Sequence, residues 1–296
     1  MIRKALMLIS GLLVATGVTA GPRVAVSGYA SAEAGFAVNS WLVPTQSGLV
    51  VIDTQFTVSA ADKLANAVIT TARPLRAIII THPHPDHYNG TCRLLKIAHV
   101  PVYATQATID GMRATVAAKH AQWKPIYGEE YPDETCFPDR VLPASGNVTV
   151  DGLELSVRNY GPGEASTESV VLVAQLRAAF VGDLAYAGVH PWLAEGRSAL
   201  WMQQLDRLSH EVRTTWTVYP GHGPAGDSSI ISAQREYIVS FRAATQNGMT
   251  AEGLSNDATQ AVAEEFRTRY PNWLLETLIP INAGAVAMEL AERGRK

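Results

Sequence analysis

The chain has 296 residues, enough for one large domain or two small ones with a sizeable core. Hydrophobic residues make up 47% and charged residues 17%, an ordinary globular composition. The formal net charge is −3 and no long basic run occurs, so nothing points to a nucleic-acid partner.

The N-terminus reads as an export signal covering residues 1–20. Arg3 and Lys4 form a basic start, residues 5–18 are apolar, and Val18-Thr19-Ala20 is a small-residue cleavage site. The apolar run is short for a bilayer core, so a transmembrane anchor is disfavoured and no stable membrane insertion is expected after cleavage. The mature chain is expected to start near Gly21 and, in a bacterial source, to be periplasmic or secreted. Cys92 and Cys136 are the two cysteines. A disulfide between them and two buried free thiols are both open.

Strands joined by turns are expected over residues 24–58, among them 36–43 and 49–53, with a Gln46-Ser47-Gly48 turn between. Residues 59–71 carry helical periodicity, with Ala61, Leu64, Ala65 and Val68 on one face. Residues 75–80 form an apolar run typical of a fully buried strand. A helix over 89–97, a strand over 100–104 and a helix over 108–119 follow. Residues 122–143, rich in Pro, Gly, Tyr and acids, read as a long loop, either functional or a surface excursion. A hairpin then turns at Asp151-Gly152. Strands at 169–174, 178–181 and 216–219 are flanked by helices at 201–209 and 229–245. The two halves, before and after about Ala144, suggest packed sheets with helices outside. Everything after Asn247 reads as helical, with an interruption at Pro280.

The buried strand at 75–80 ends in Thr81-His82-Pro83-His84-Pro85-Asp86-His87. Alternate residues of an extended segment point the same way, so His82 and His84 reach one ion. Asp86 and His87, one turn on, reach a second. Imidazole nitrogen and carboxylate oxygen suit zinc and its neighbours. Pro83 and Pro85 stiffen the loop and lower the entropy cost of holding ligands.

This segment resembles the metallo-β-lactamase superfamily, whose signature is His-x-His-x-Asp-His after a β-strand. The resemblance runs from about Val24 to Asp227 and implies an α+β fold, an αββα sandwich, followed here by a C-terminal helical extension. It implies two divalent ions, Zn2+ first with Mn2+ or Fe2+ as alternatives. His82, His84 and a third residue would bind the first ion; Asp86, His87 and a last histidine the second. Gly182-Asp183 looks like the family's Gly-Asp, whose carboxylate bridges the ions. Tyr219-Pro220-Gly221-His222-Gly223 is similar to the late Pro-Gly-His-Gly, making His222 the last ligand. Asp53 resembles the early aspartate that orients the ligand loop from behind. The pattern breaks once: Glu164 stands where the third histidine is expected. As a ligand it would add negative charge and favour harder ions such as manganese or iron.

The organisation implied is a signal at 1–20, a catalytic domain at 21–246 and a helical extension at 247–296 packed on it. Leu274, Leu275, Leu278, Ile279 and Ile281 make an apolar surface for that packing, with a dimer interface or a lid as alternatives. Trp192, Trp201 and Trp273 are either pocket walls or core, and His190 is a candidate pocket residue. The family chemistry implies a metal-bound hydroxide attacking a carboxylic ester or lactone of a small molecule, with Asp86 orienting the nucleophile. A β-lactam is the alternative substrate, and a non-catalytic metal-binding protein the alternative class. The absence of Gly-x-Ser-x-Gly and of a phosphate-loop lysine motif disfavours serine hydrolase and nucleotide chemistry.

Overall fold

The computed structural model describes residues 25–293; the expected export signal lies outside them. The first half builds β1 (Ser27–Ala30), β2 (Asn39–Pro44), β3 (Leu49–Ile52), α1 (Val58–Thr70), β4 (Leu75–Ile79), α2 (Pro85–Tyr88), α3 (Thr91–Ile97), β5 (Val102–Thr105), α4 (Gln106–Tyr127) and β6 (Arg140–Leu142). The second builds β7 (Ser145–Val150), β8 (Leu153–Gly161), β9 (Glu168–Val173), β10 (Ala178–Tyr186), α5 (Ser198–Glu211), β11 (Thr217–His222) and α6 (Ser229–Gly248). The extension adds β12 (Met249–Thr250), β13 (Gly253–Leu254), α7 (Asn256–Arg269) and α8 (Leu278–Arg293).

β1 to β6 lie side by side in numerical order in one sheet, and β11-β10-β9-β8-β7 make a second. The period-two alternation of side chains decides how the sheets stack. In β3, Val50 and Ile52 face the second sheet while Leu49 and Val51 face outward. In β4, Ala77 and Ile79 face inward and Ile78 outward. In β10, Phe180 faces the first sheet and Ala179 and Val181 the opposite side. Both faces of these strands are apolar because both are covered. α1, α3 and α4 cover the first sheet, through Leu64, Val68, Leu94, Ile109 and Met112. α5 to α8 cover the second, through Trp201, Leu205, Tyr237, Phe241, Phe266 and Ile279. The result is the αββα sandwich.

Three local readings are corrected. Residues 36–43 are not one strand: Phe36 and Ala37 adopt left-handed φ values of 63° and 53°, and pairing with β1 begins at Asn39. Residues 122–143 are not one loop, because α4 continues through Pro125 to Tyr127. Proline disfavours a helix interior. Here Trp123 and Tyr127 pack edge-on against Phe56, with ring centroids 5.8 and 4.9 Å away, and that packing overrides local propensity. After Asn247 the chain first makes the β12–β13 hairpin, and residues 273–277 are not helical. Pro280 sits in the first turn of α8, where a missing N–H costs little.

Cys92 and Cys136 form a disulfide, with Cα atoms 5.2 Å apart, tying α3 to the segment before β6. Among the described residues no helix is long and apolar enough to cross a membrane.

Candidate metal centre

The site lies at one edge of the two sheets, where β4, β10 and β11 end. The segment after β4 carries His82 and His84; Pro85 opens α2, whose single turn presents Asp86 and His87. The β8–β9 connection supplies Glu164, β10 supplies Asp183, and β11 ends in His222. Asp183 therefore lies within a strand rather than in the turn that a Gly-Asp pair suggests.

These residues converge in two groups. His82, His84, Glu164 and Asp183 form one; Asp86, His87 and His222 form the other. Asp183 touches both: its Oδ1 is 3.3 Å from His87 Nε2, and its Oδ2 is 3.8 Å from His82 Nε2 and 3.1 Å from His222 Nε2. Glu164 Oε2 is 3.3 Å from His84 Nδ1 and 4.0 Å from His82 Nε2. Asp86 Oδ2 is 3.4 Å from both His87 Nε2 and His222 Nε2.

Whether ions fit can be tested on these atoms. His82 Nε2, His87 Nε2, Glu164 Oε2 and Asp183 Oδ1 are buried without a hydrogen-bond partner among the described residues. Such atoms cost about 1–3 kcal/mol each unless something satisfies them. Tetrahedral ligation with bonds of about 2.0–2.1 Å sets donor atoms roughly 3.3 Å apart. Most of the separations above bracket that value, and the mixed nitrogen and oxygen donors suit zinc, manganese or iron. The residues fit two divalent ions.

The side chains are aimed from behind. Asp53, itself held at a left-handed φ of 61°, accepts from the Thr81 N–H at 2.9 Å, from Thr81 Oγ1 at 2.8 Å and from His87 Nδ1 at 2.9 Å. His222 Nδ1 donates to the Phe36 carbonyl at 2.8 Å. His82 Nδ1 meets Thr81 Oγ1 at 3.0 Å. With Nδ1 engaged in each ring, Nε2 is left to face the centre. His84 is turned the other way: Nδ1 faces Glu164, and Nε2 lies 3.5 Å from Glu195.

The electrostatics are those of a crowded ionic cage. Burial alone would lower the His84 pKa, but Glu164, Glu195 and Asp86 outweigh it and raise the value to about 10. His222 is likewise disfavoured by burial yet raised to about 9 by Asp183 and Asp86. Burial works against the Asp183 charge, but His222, His87 and His82 hold it well below the usual carboxylate range. Burial pushes Glu164 up, and pushes Glu168 up further with the help of Glu164 and Asp183.

Two residues here were not singled out from the sequence. Tyr186 donates to Asp183 Oδ2 at 2.5 Å and Glu164 Oε1 at 3.2 Å, and its ring stacks on His222. Glu168 is buried 3.6 Å from His82 Nδ1. Neither carries a spacing signal, since each reaches the site only through strand register. Of the candidates left open, Trp192 lines the cleft above the site, whereas Trp201 is core and donates to the Leu184 carbonyl at 2.9 Å. Trp273 packs partly buried against the same core. His190 does not line the cleft; it is buried behind it, with Nδ1 2.9 Å from the Tyr237 hydroxyl.

The comparisons agree with this architecture. The family model of the metallo-beta-lactamase superfamily matches residues 34–222. The hydroxyacylglutathione hydrolase of Shewanella halifaxensis is 27% identical over 172 residues, 57% of this chain, and the match spans about half (55%) of that protein's length. A beta-lactamase domain protein from Burkholderia ambifaria shares the fold at a TM-score of 0.64 and 16% identity, over 87% of this chain and 82% of that one. A metallo-beta-lactamase from Pontibacter korlensis does so at 0.53 and 23%, over 68% and 87%. A sandwich whose sheets end on two groups of imidazoles and carboxylates, in a stretch that matches the family model across more than half its length, places this chain in the metallo-beta-lactamase superfamily.

Proposed function

We propose that this protein is a metal-dependent hydrolase that cleaves a carboxylic ester or lactone by attack of water on the carbonyl carbon. The observation that carries the reading is the convergence of seven donor side chains at the floor of one cleft. His82, His84 and Glu164 would hold one divalent ion; Asp86, His87 and His222 would hold the other; Asp183 would serve both. Zinc is the first choice, with manganese or iron as alternatives. Bound there, the ions would supply Lewis acidity and lower the pKa of a water molecule.

The protein's own groups do the rest. Asp86 lines the cleft and is the most exposed of the site carboxylates, with 15% of its side chain open. It would orient the attacking water. Asp53 fixes the His87 ring, and the Phe36 carbonyl fixes His222. Burial, with Asp183 and Glu164 adding to it, raises the Tyr186 pKa well above its ordinary value. Tyr186 therefore stays a neutral donor that holds both carboxylates in place. Apolar walls exclude bulk water, which strengthens every electrostatic contact at the floor.

The names of the solved relatives favour a β-lactam as the alternative substrate. A periplasmic or secreted location is part of the proposal, supported by the Cys92–Cys136 disulfide, since such bonds persist in oxidising compartments. The test is a panel of esters, lactones, thioesters and β-lactams, scored with metal-loaded and chelated protein. Asp86→Ala is expected to lower kcat about 10³-fold. Glu164→Ala is expected to lose the ion held by His82 and His84, read by metal analysis. Activity that survives chelation would overturn the reading. Bound metal without turnover across the panel would favour a non-catalytic binding protein.

A further inference from the structure

The cleft above the site encloses about 520 Å³, counting its open mouth. Its walls differ sharply from its floor. One wall is aromatic: Phe36, Phe56 and Trp123 pack edge to face, with centroids 4.9 to 5.8 Å apart. Trp192, Leu275 and Leu278 also line the cleft, and the two leucines come from the C-terminal extension. Leu275 is held there at a left-handed φ of 65°, its N–H donating to Glu33 Oε1 at 2.8 Å.

One lining residue matches neither wall nor floor. Lys119 stands one helical turn before Trp123 on α4, so both present the same face to the cleft. It is half-buried. Among the described residues it makes no hydrogen bond and no ion pair, and it is the one lysine or arginine lining the cleft. The Lys119 charge helps to hold the Glu195 carboxylate low but forms no ion pair with it; Glu195 is engaged by Arg197 at 3.0 Å and faces His84 Nε2 at 3.5 Å. Arg197 is turned away from the opening, onto the Gly163 carbonyl.

We propose that Lys119 receives a carboxylate on the substrate, and that the substrate is an apolar-bodied ester or lactone carrying that carboxylate away from the scissile carbonyl. This rests on the hydrolase reading above and narrows it. The walls take the apolar body and the floor takes the carbonyl. The ammonium then supplies the one attraction that an uncharged analogue lacks. At a half-buried position such a pair is screened less than on an open surface.

Two arms test it. The first compares methyl monoesters of dicarboxylic acids of graded length with their dimethyl esters. The monoester of best-fitting length is expected to have a kcat/KM about tenfold above its diester, carried by KM, a difference of about 1.4 kcal/mol. In Lys119→Met, which keeps the apolar stem, the ratio should fall to about one. A ratio of one in the wild type overturns the proposal and leaves the hydrolase reading intact. The second arm needs no turnover. Quenching of Trp123 and Trp192 fluorescence in metal-free protein is followed with octanoate and with octanamide. Octanoate is expected to bind about tenfold tighter, and Lys119→Met to abolish the preference. If no ester is cleaved, the hydrolase reading fails, and this arm alone decides Lys119: equal binding of the two probes overturns it.

Discussion

Glu164 adds a carboxylate at the floor of the cleft, beside His82, His84 and Asp183. With Asp86 and Asp183 it gives three carboxylates to face two divalent ions. In the metal-free protein those carboxylates hold protons on the imidazoles instead, raising His84 to about 10 and His222 to about 9 despite their burial. The consequence has a definite sign. At neutral pH both rings carry a proton that an ion must displace, so loading is expected to release protons. Apparent metal affinity should rise with pH between 7 and 9. Calorimetry in buffers of different ionisation enthalpy measures this directly; a heat independent of buffer would show that these rings are already neutral. Two glycines work at the same scale. A Cβ on Gly221 would lie 1.9 Å from Asp183 Oδ1, and one on Gly223 would lie 1.7 Å from the Ala187 carbonyl oxygen. The Pro-Gly-His-Gly spacing therefore lets the β11 backbone approach β10 closely enough for His222 to reach Asp183.

The elements show where local sequence signals were sufficient and where they were not. β3 and β4 follow from short apolar runs and α1 from helical periodicity, because neighbours on both sides agree with the local preference. α4 does not: its last turns contain Pro125 and persist through aromatic packing on Phe56. That continuation carries Trp123 to the cleft wall. The disulfide acts on a neighbouring element. It closes a 44-residue separation between α3 and the segment before β6, which by loop entropy stabilises the native state by about 4 kcal/mol. Reduction, or a Cys92→Ala and Cys136→Ala pair, is expected to lower Tm by roughly 5–15 °C. A thermal melt with and without reductant checks this. An unchanged Tm would place the 131–137 segment outside the cooperative unit.

At the scale of the whole molecule the extension is part of the sandwich rather than an appendage. Phe266, Ile279, Ala283 and Val286 share one core with Tyr237, Ile238 and Phe241 of α6 and with Val181 of β10. Leu275, Leu278 and Ile279 of the expected apolar surface are buried, whereas Leu274 and Ile281 stay exposed. A chain ending near residue 248 would lose Leu275 and Leu278 from the cleft and uncover the aromatic face of α6. It is expected to bind a hydrophobic dye and to lose its cooperative melt, seen by calorimetry. A truncated protein that melts cooperatively would show instead that the sandwich folds without α7 and α8.

The amino-acid order alone determined the ligand loop and the two halves of the fold. His82 to His87 are contiguous, and strand periodicity is a local property that a short window records. It also identified Asp183, His222 and Glu164, through a resemblance carried by short motifs. Only the tertiary structure decided that Tyr186 and Glu168 stand at the centre, that Lys119 and Leu275 face one cleft, and that Cys92 meets Cys136. Those meetings depend on sheet register, on how two sheets stack, and on the path of a chain that crosses the molecule before returning. No local preference encodes such distances, because many separate packing contacts fix them together.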